Sequence, residues 1–273
     1  MIRQFLQRVA ENIREHGARE AAERSTVWLA NRAFGAAIHR NSRPSLAAFS
    51  DLTSQMYFAG TDFSKAFSAN NPEEAKANVV AEYAMLSAEI ERRYRSRKQL
   101  YPATYALEEG SARLLYQLVR FLRPEIVVET GVANGHSSFF ILNALMANNS
   151  GILHSIDREQ NVGSLLRAGD RERWCLHTLE RQRLKKSFVQ ILESLPSIGL
   201  FLHDSDHTYA WQRFELEAAL KRLAPSGVLV SDDCDASYAF VDFCRDHNFS
   251  PSLLVEKRKV FGCIFEGART GQG

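Results

Sequence analysis

The spacing of apolar positions changes about a third of the way along the chain. In the first hundred residues it is helical: Phe5, Val9 and Ile13 stand at four-residue intervals, and EEAKANVVAEYAMLSAEIERRYRSR carries a second long helical pattern. The stretch NRAFGAAIHRNSRPSLAAFSD between them holds the breakers. After Tyr101 and Pro102, short and nearly continuous apolar runs alternate with helical stretches, the pattern of strands buried on both faces of a parallel sheet. These runs predict strands over 126–129, 152–157, 173–179, 198–204 and 227–232. The tail SPSLLVEKRKVFGCIFEG reads as two more, joined by the charged turn EKRK. The expectation is an α/β fold with a doubly wound, mostly parallel seven-stranded sheet over residues 101–273. A helical cap or oligomerisation region over residues 1–100 precedes it.

Composition narrows the partners rather than the fold. A chain of 273 residues with 34 basic and 32 acidic side chains, net +2, has little general attraction for a polyanion, so no nucleic-acid partner is expected. The N-terminal stretch is amphipathic and never builds the apolar core of a secretory leader. No run reaches the roughly 18–20 apolar residues that span a bilayer. A cytoplasmic protein without a membrane partner is the resulting expectation, with homo-oligomerisation through the N-terminal helices left open. The four cysteines are scattered without a C-x-x-C pair, which suits free thiols.

Candidate chemistry gathers where strands end. PEIVVETGVANGHSSFFILNAL is a strand, a turn carrying Gly131 and Gly135, and a helix. Glycines there let a ligand approach the backbone, and free N–H groups at the helix start meet its polar atoms. The spacing is not the G-x-G-x-x-G of dinucleotide sites, and Glu129 ahead of Gly131 would repel a pyrophosphate while favouring a cationic ligand such as S-adenosylmethionine. Asp157 ends the next strand, where a carboxylate accepts hydrogen bonds from ribose hydroxyls. A tight β–α turn with an exposed aspartate is the plain alternative.

Two acidic clusters follow, DSDHTY after IGLFLH and SDD after GVLV. The carboxyl ends of parallel strands share one crevice, so Asp204, Asp232 and Asp233 converge there in this reading, and an all-oxygen set suits Mg²⁺. Solvated strand-end carboxylates are the alternative. His203, inside an apolar run, reads as a core histidine, and Asp206 as a cap for the helix that follows.

From about residue 107 to 267 the chain resembles a known family. EEGSARLLYQLVRFLRPEIVVETGVANGHSS is similar to the opening of catechol and caffeoyl-CoA type O-methyltransferases and their macrolide-sugar relatives. In these a helix starting with an acidic-Gly step leads into an E-x-G-x-x-x-G-x-S turn. The resemblance implies a class I, Rossmann-like methyltransferase fold with Glu129, Gly131, Ser137 and Asp157 as cofactor residues. It further implies Asp204, Asp232 and Asp233 as ligands of Mg²⁺ or a similar divalent cation, and His207 as general base. Macrolide-sugar enzymes carry histidine at that place and catechol types lysine. The activity implied is metal-assisted methyl transfer from S-adenosylmethionine to the hydroxyl of a small molecule. Two alternatives stand beside it: a metal-free or N-directed methyltransferase, and a non-catalytic S-adenosylmethionine-binding scaffold. A nucleic-acid adenine methyltransferase is disfavoured, because HDSDHTY stands where those enzymes carry (Asn/Asp)-Pro-Pro-(Tyr/Phe).

Overall fold

A computed structural model describes residues 38–53, 55–58 and 73–265. The helical pattern of Phe5, Val9 and Ile13 lies outside them. The chain divides into two compact units, Met1–Ser42 and Arg43–Gly273, and the second carries every element named below. In order these are α1 (Leu46–Ser50), β1 (Met56–Phe58), α2 (Glu73–Ser96), α3 (Glu109–Leu122), β2 (Ile126–Thr130), α4 (His136–Asn148), β3 (Ile152–Asp157) and β4 (Trp174–Thr178). After them come α5 (Leu184–Ser194), β5 (Ile198–His203), α6 (Tyr209–Leu220), β6 (Leu223–Ser231), α7 (Ala239–His247), β7 (Ser252–Val255) and β8 (Val260–Phe265).

The strands form one sheet in the order β1-β7-β8-β6-β5-β2-β3-β4. Strands β2 to β6 run parallel, as their unbroken apolar runs require, and β8 is antiparallel to both β6 and β7. The tail hairpin therefore closes the sheet with its second strand inside and its first outside. From β2 the chain winds outward through β3 and β4, then returns to place β5 on the other side of β2. The crevice beyond the carboxyl ends of β2 and β5 is the topological switch point where ligands of open α/β sheets bind.

Two features depart from the expected pattern. The first hundred residues are not wholly helical: β1 adds an eighth strand, parallel to β7. Its three residues are too few to show a period, and pairing along the sheet edge defines it. Strand β6 begins at Leu223 instead of 227, because Ala-Pro-Ser-Gly interrupts it at a register shift opposite Ile198–Leu200 without ending the strand.

Alternation along each strand splits the core. Val127, Leu200, Leu202, Val228 and Val230 pack with α2, α3 and α4 on one face. Val128, Phe201 and Leu229 pack with α5, α6 and α7 on the other. Helices α3, α4 and α7 each stop at a left-handed residue, Arg123, Asn149 and Asn248, whose N–H turns back onto the last turn. Helix α2 presents Val79, Tyr83 and Ile90 at helical spacing to this core, with Tyr83 stacked on Phe140 at 5.2 Å. Among the described residues no helix is long and apolar enough to cross a membrane.

Candidate active site

The turn from β2 to α4 lies directly against the end of β5. Gly131 has φ +78°, and a Cβ there would stand 2.0 Å from the carbonyl oxygen of Asp204, so only glycine allows the approach. Gly135 (φ +86°) is the N-cap of α4, held as Gly135 N donates to Val132 O at 2.7 Å. Asp157 braces the same turn: its Oδ2 accepts from Val132 N at 2.8 Å and its Oδ1 from Glu159 N at 2.9 Å. Each oxygen keeps a lone pair for a ligand. Asn134 ties the stretch after α2 to the turn, accepting from Leu100 N and Tyr101 N at 3.0 and 3.1 Å and donating to Tyr101 O at 2.8 Å.

Glu129 sits one layer behind this surface. It is fully buried, it does not line the cavity, and its carboxyl accepts from Ser137 Oγ (2.9 Å), Ser138 Oγ (2.5 Å) and Ser155 Oγ (2.6 Å). Burial pushes its pKa up to about 7 against the pull of the three hydroxyls. Ser137, bonded to Glu129, does reach the cavity wall.

A cavity of about 630 Å³ joins this turn to the ends of β5 and β6, within the roughly 300–1,000 Å³ of small-molecule sites. Gly131, Asp157, Asp204, His207, Asp233 and Lys259 line it, together with Tyr94, Tyr101 and Tyr105. His207 Nε2 lies 3.8 Å from Asp204 Oδ1 and 3.5 Å from Asp233 Oδ2. Burial first, then His203, push the His207 pKa down to about 4 against Asp233 and Asp206, so the imidazole is neutral at physiological pH. Asp204 is held well above the usual carboxylate range by burial and by Asp232.

Lys259, which precedes β8, is the residue that sequence reasoning missed. Its ammonium is in hydrogen-bonding contact with Asp232 Oδ2 and 3.2 Å from Asp233 Oδ2. Burial pulls its pKa down, but Asp232 and Asp204 outweigh that and hold it above its ordinary value. Burial pushes Asp232 up to about 6, which leaves it ionised at neutral pH beside the ammonium.

Behind these groups His203 is buried with its Nδ1 at 2.6 Å from Glu215 Oε2, while its Nε2 has no partner. Glu215 also accepts from Thr130 Oγ1 at 2.7 Å and Trp211 Nε1 at 2.6 Å. His203 is thus a core histidine satisfied on one side only. Asp206 accepts from Thr208 N at 2.9 Å in the turn before α6; the N-cap is Thr208, so Asp206 does not cap the helix as expected.

The expected metal set is divided. Asp204, His207 and Asp233 each bring one ligand atom within 4.8 Å of the others, but Asp232 neither joins them nor lines the cavity. It is wholly buried and bonded to Lys259, whose positive charge also touches Asp233. As arranged, Asp204, Asp232 and Asp233 do not fit a divalent ion: one carboxylate is walled off and a second already has a cation beside it.

Residues 128–234 match a family model for a methyltransferase domain. No curated protein matches the chain significantly. Among solved structures it is similar to the O-methyltransferase TomG from Streptomyces achromogenes, involved in tomaymycin synthesis and solved with SAM. That likeness has 18% identity, covers 73% of this chain and 93% of that one, and has a TM-score of 0.49. An O-methyltransferase from Bacillus cereus in complex with SAH is similar at 15% identity over 80% and 99% of the two chains, with a TM-score of 0.48. A putative O-methyltransferase from Klebsiella pneumoniae is similar at 18% identity over 66% and 88%, with a TM-score of 0.48. The matched segment runs from β2 past the end of β6 and contains the glycine turn, Asp157 and both acidic strand ends. By that match, residues 128–234 are similar to a methyltransferase domain, and they lie in a doubly wound, mostly parallel α/β sheet.

Proposed function

We propose that the chain transfers the methyl group of S-adenosylmethionine to a hydroxyl oxygen of a small molecule. The observation that carries this reading is the single cavity in which the glycine turn and Asp157 meet a neutral His207 flanked by two carboxylates. Asp157 takes the ribose hydroxyls, and the turn from Gly131 to Ser137 holds the amino-acid end of the cofactor. The acceptor packs against tyrosine rings of the cavity, Tyr94 and Tyr105, which suit an apolar or planar body.

The methyl carbon is already activated by the positive sulfur, so the chain has to align the acceptor and remove a proton. The oxygen bonds to the methyl carbon as the carbon–sulfur bond breaks, its electron pair passing to sulfur. The hydroxyl proton passes to His207, and the Asp233 carboxylate beside its Nε2 stabilises the imidazolium that forms. A neutral amine needs no base before attack, whereas a hydroxyl does, which is why a half-buried neutral imidazole favours oxygen. The test is incubation with methyl-labelled cofactor and a panel of phenols, catechols, hydroxylated sugars and amines. Label in ethers is the expected result, and label confined to amines would overturn the reading.

A further inference from the structure

We infer that Lys259 is the resident cation of this site, its ammonium standing at the carboxylates to which the sequence resemblance assigns a divalent ion and offering its remaining N–H to the acceptor oxygen. The part concerning the acceptor rests on the O-methylation reading; the part concerning the cation does not.

The placement follows from topology. Strand β8 runs antiparallel to β6, so the residue that enters β8 lies beside the residues that leave β6. Cys234 N donates to Val260 O at 2.8 Å and Val260 N to Asp235 Oδ1 at 2.9 Å, which fixes the backbone next to Lys259. Two more residues of its turn have fixed partners. Glu256 accepts from Gly110 N and Ser111 N at 2.8 and 2.9 Å at the start of α3, and Arg258 Nε donates to Glu108 Oε1 at 2.8 Å. Lys259 is only 7% exposed, so this is a seated side chain and not a solvated surface lysine.

Charge decides what else the site holds. The ammonium donates to Asp232 Oδ2 and lies 3.2 Å from Asp233 Oδ2, and it lines the cavity with a third N–H free to donate. A divalent ion on Asp204, His207 and Asp233 would face this positive charge across the Asp233 carboxylate. As the acceptor hydroxyl gives its proton to His207, negative charge grows on its oxygen, and the free N–H is placed to stabilise it.

The test is a Mn²⁺ titration of the chelator-treated chain, followed by electron paramagnetic resonance with SAH present. The wild type is expected to bind SAH and to bind Mn²⁺ no tighter than millimolar. Lys259→Met, which keeps the stem and removes the charge, is expected to bind Mn²⁺ at least about tenfold tighter, the scale on which groups beside a metal site tune its affinity. Micromolar Mn²⁺ binding by the wild type overturns the inference, as does a SAH-binding Lys259→Met chain with no gain. Should that variant fail to fold, the wild-type titration still decides. Label confined to amines in the acceptor panel would sink the O-methylation reading and leave the metal titration untouched.

Discussion

Glu129→Gln isolates a buried carboxyl whose cost depends on pH. In the unfolded chain Glu129 titrates near 4.5, and in the fold burial raises that to about 7. Between those values the folded chain holds a proton that the unfolded chain has released, so stability falls as pH rises, and the full drop is about 3 kcal/mol. His136 and His207 act in the opposite sense. Burial lowers both to about 4, so from there to about 6.5 the unfolded chain binds more protons and stability rises with pH. The wild-type curve alone mixes these effects, and its difference from the variant separates them. Glutamine keeps an acceptor for the serines and cannot ionise. Urea unfolding at stepped pH should show wild-type stability, relative to the variant, declining from pH 4.5 to 7.5 by an amount of that order. Parallel curves would refute a buried carboxyl that loses its proton across this window. Because Glu129 does not line the cavity, cofactor affinity should stay close to wild type, and a large loss would place the carboxylate against the ligand.

Asp157→Ala should weaken S-adenosylmethionine binding by about 1.5–3 kcal/mol, the range for hydrogen bonds to a charged group, and calorimetry showing unchanged affinity would remove Asp157 from the cofactor site. Gly131→Ala forces a side chain into a left-handed residue and onto the Asp204 carbonyl 2.0 Å away. It should cost more than about 1 kcal/mol of stability and abolish cofactor binding, and a wild-type Tm with intact binding would show that the turn can yield. His207→Ala should lower single-turnover rate by roughly 10² to 10⁴ with cofactor affinity preserved. The wild-type acid limb should lie near pH 4, where His207 takes up its proton and can no longer accept one; a limb at the ordinary histidine value would contradict its burial.

The parallel strands were legible because burial on both faces writes them as unbroken apolar runs, and their carboxyl ends then group Gly131, Asp157, Asp204, His207 and Asp233 without further information. What each polar group does at that edge was less legible, because it depends on register. Glu129 pairs with Ser155 across β2 and β3, and that register, together with the first turn of α4, turns its carboxyl inward onto three hydroxyls. An acidic residue before a glycine turn reads the same whether it faces a ligand or a serine. His203 is a similar case, since its partner Glu215 lies twelve positions on, in a helix whose rotation the sequence does not state.

Lys259 was hidden for a topological reason. In sequence EKRK is a run of charges between two strands, the usual mark of a solvated turn. Had the hairpin joined the sheet by its first strand, β7 would lie beside β6 and Lys259 would enter an outer strand, a strand's width further from Asp232. Because β8 takes the inner position, the turn folds back over the carboxyl edge of the sheet. Three of its four charges then find fixed partners: Glu256 at the start of α3, Arg258 on Glu108, and Lys259 on Asp232 and Asp233. The acidic strand end of β6 and the basic turn are therefore two halves of one contact, separated in sequence by the length of α7 and β7 and brought together only by the inversion of the last two strands.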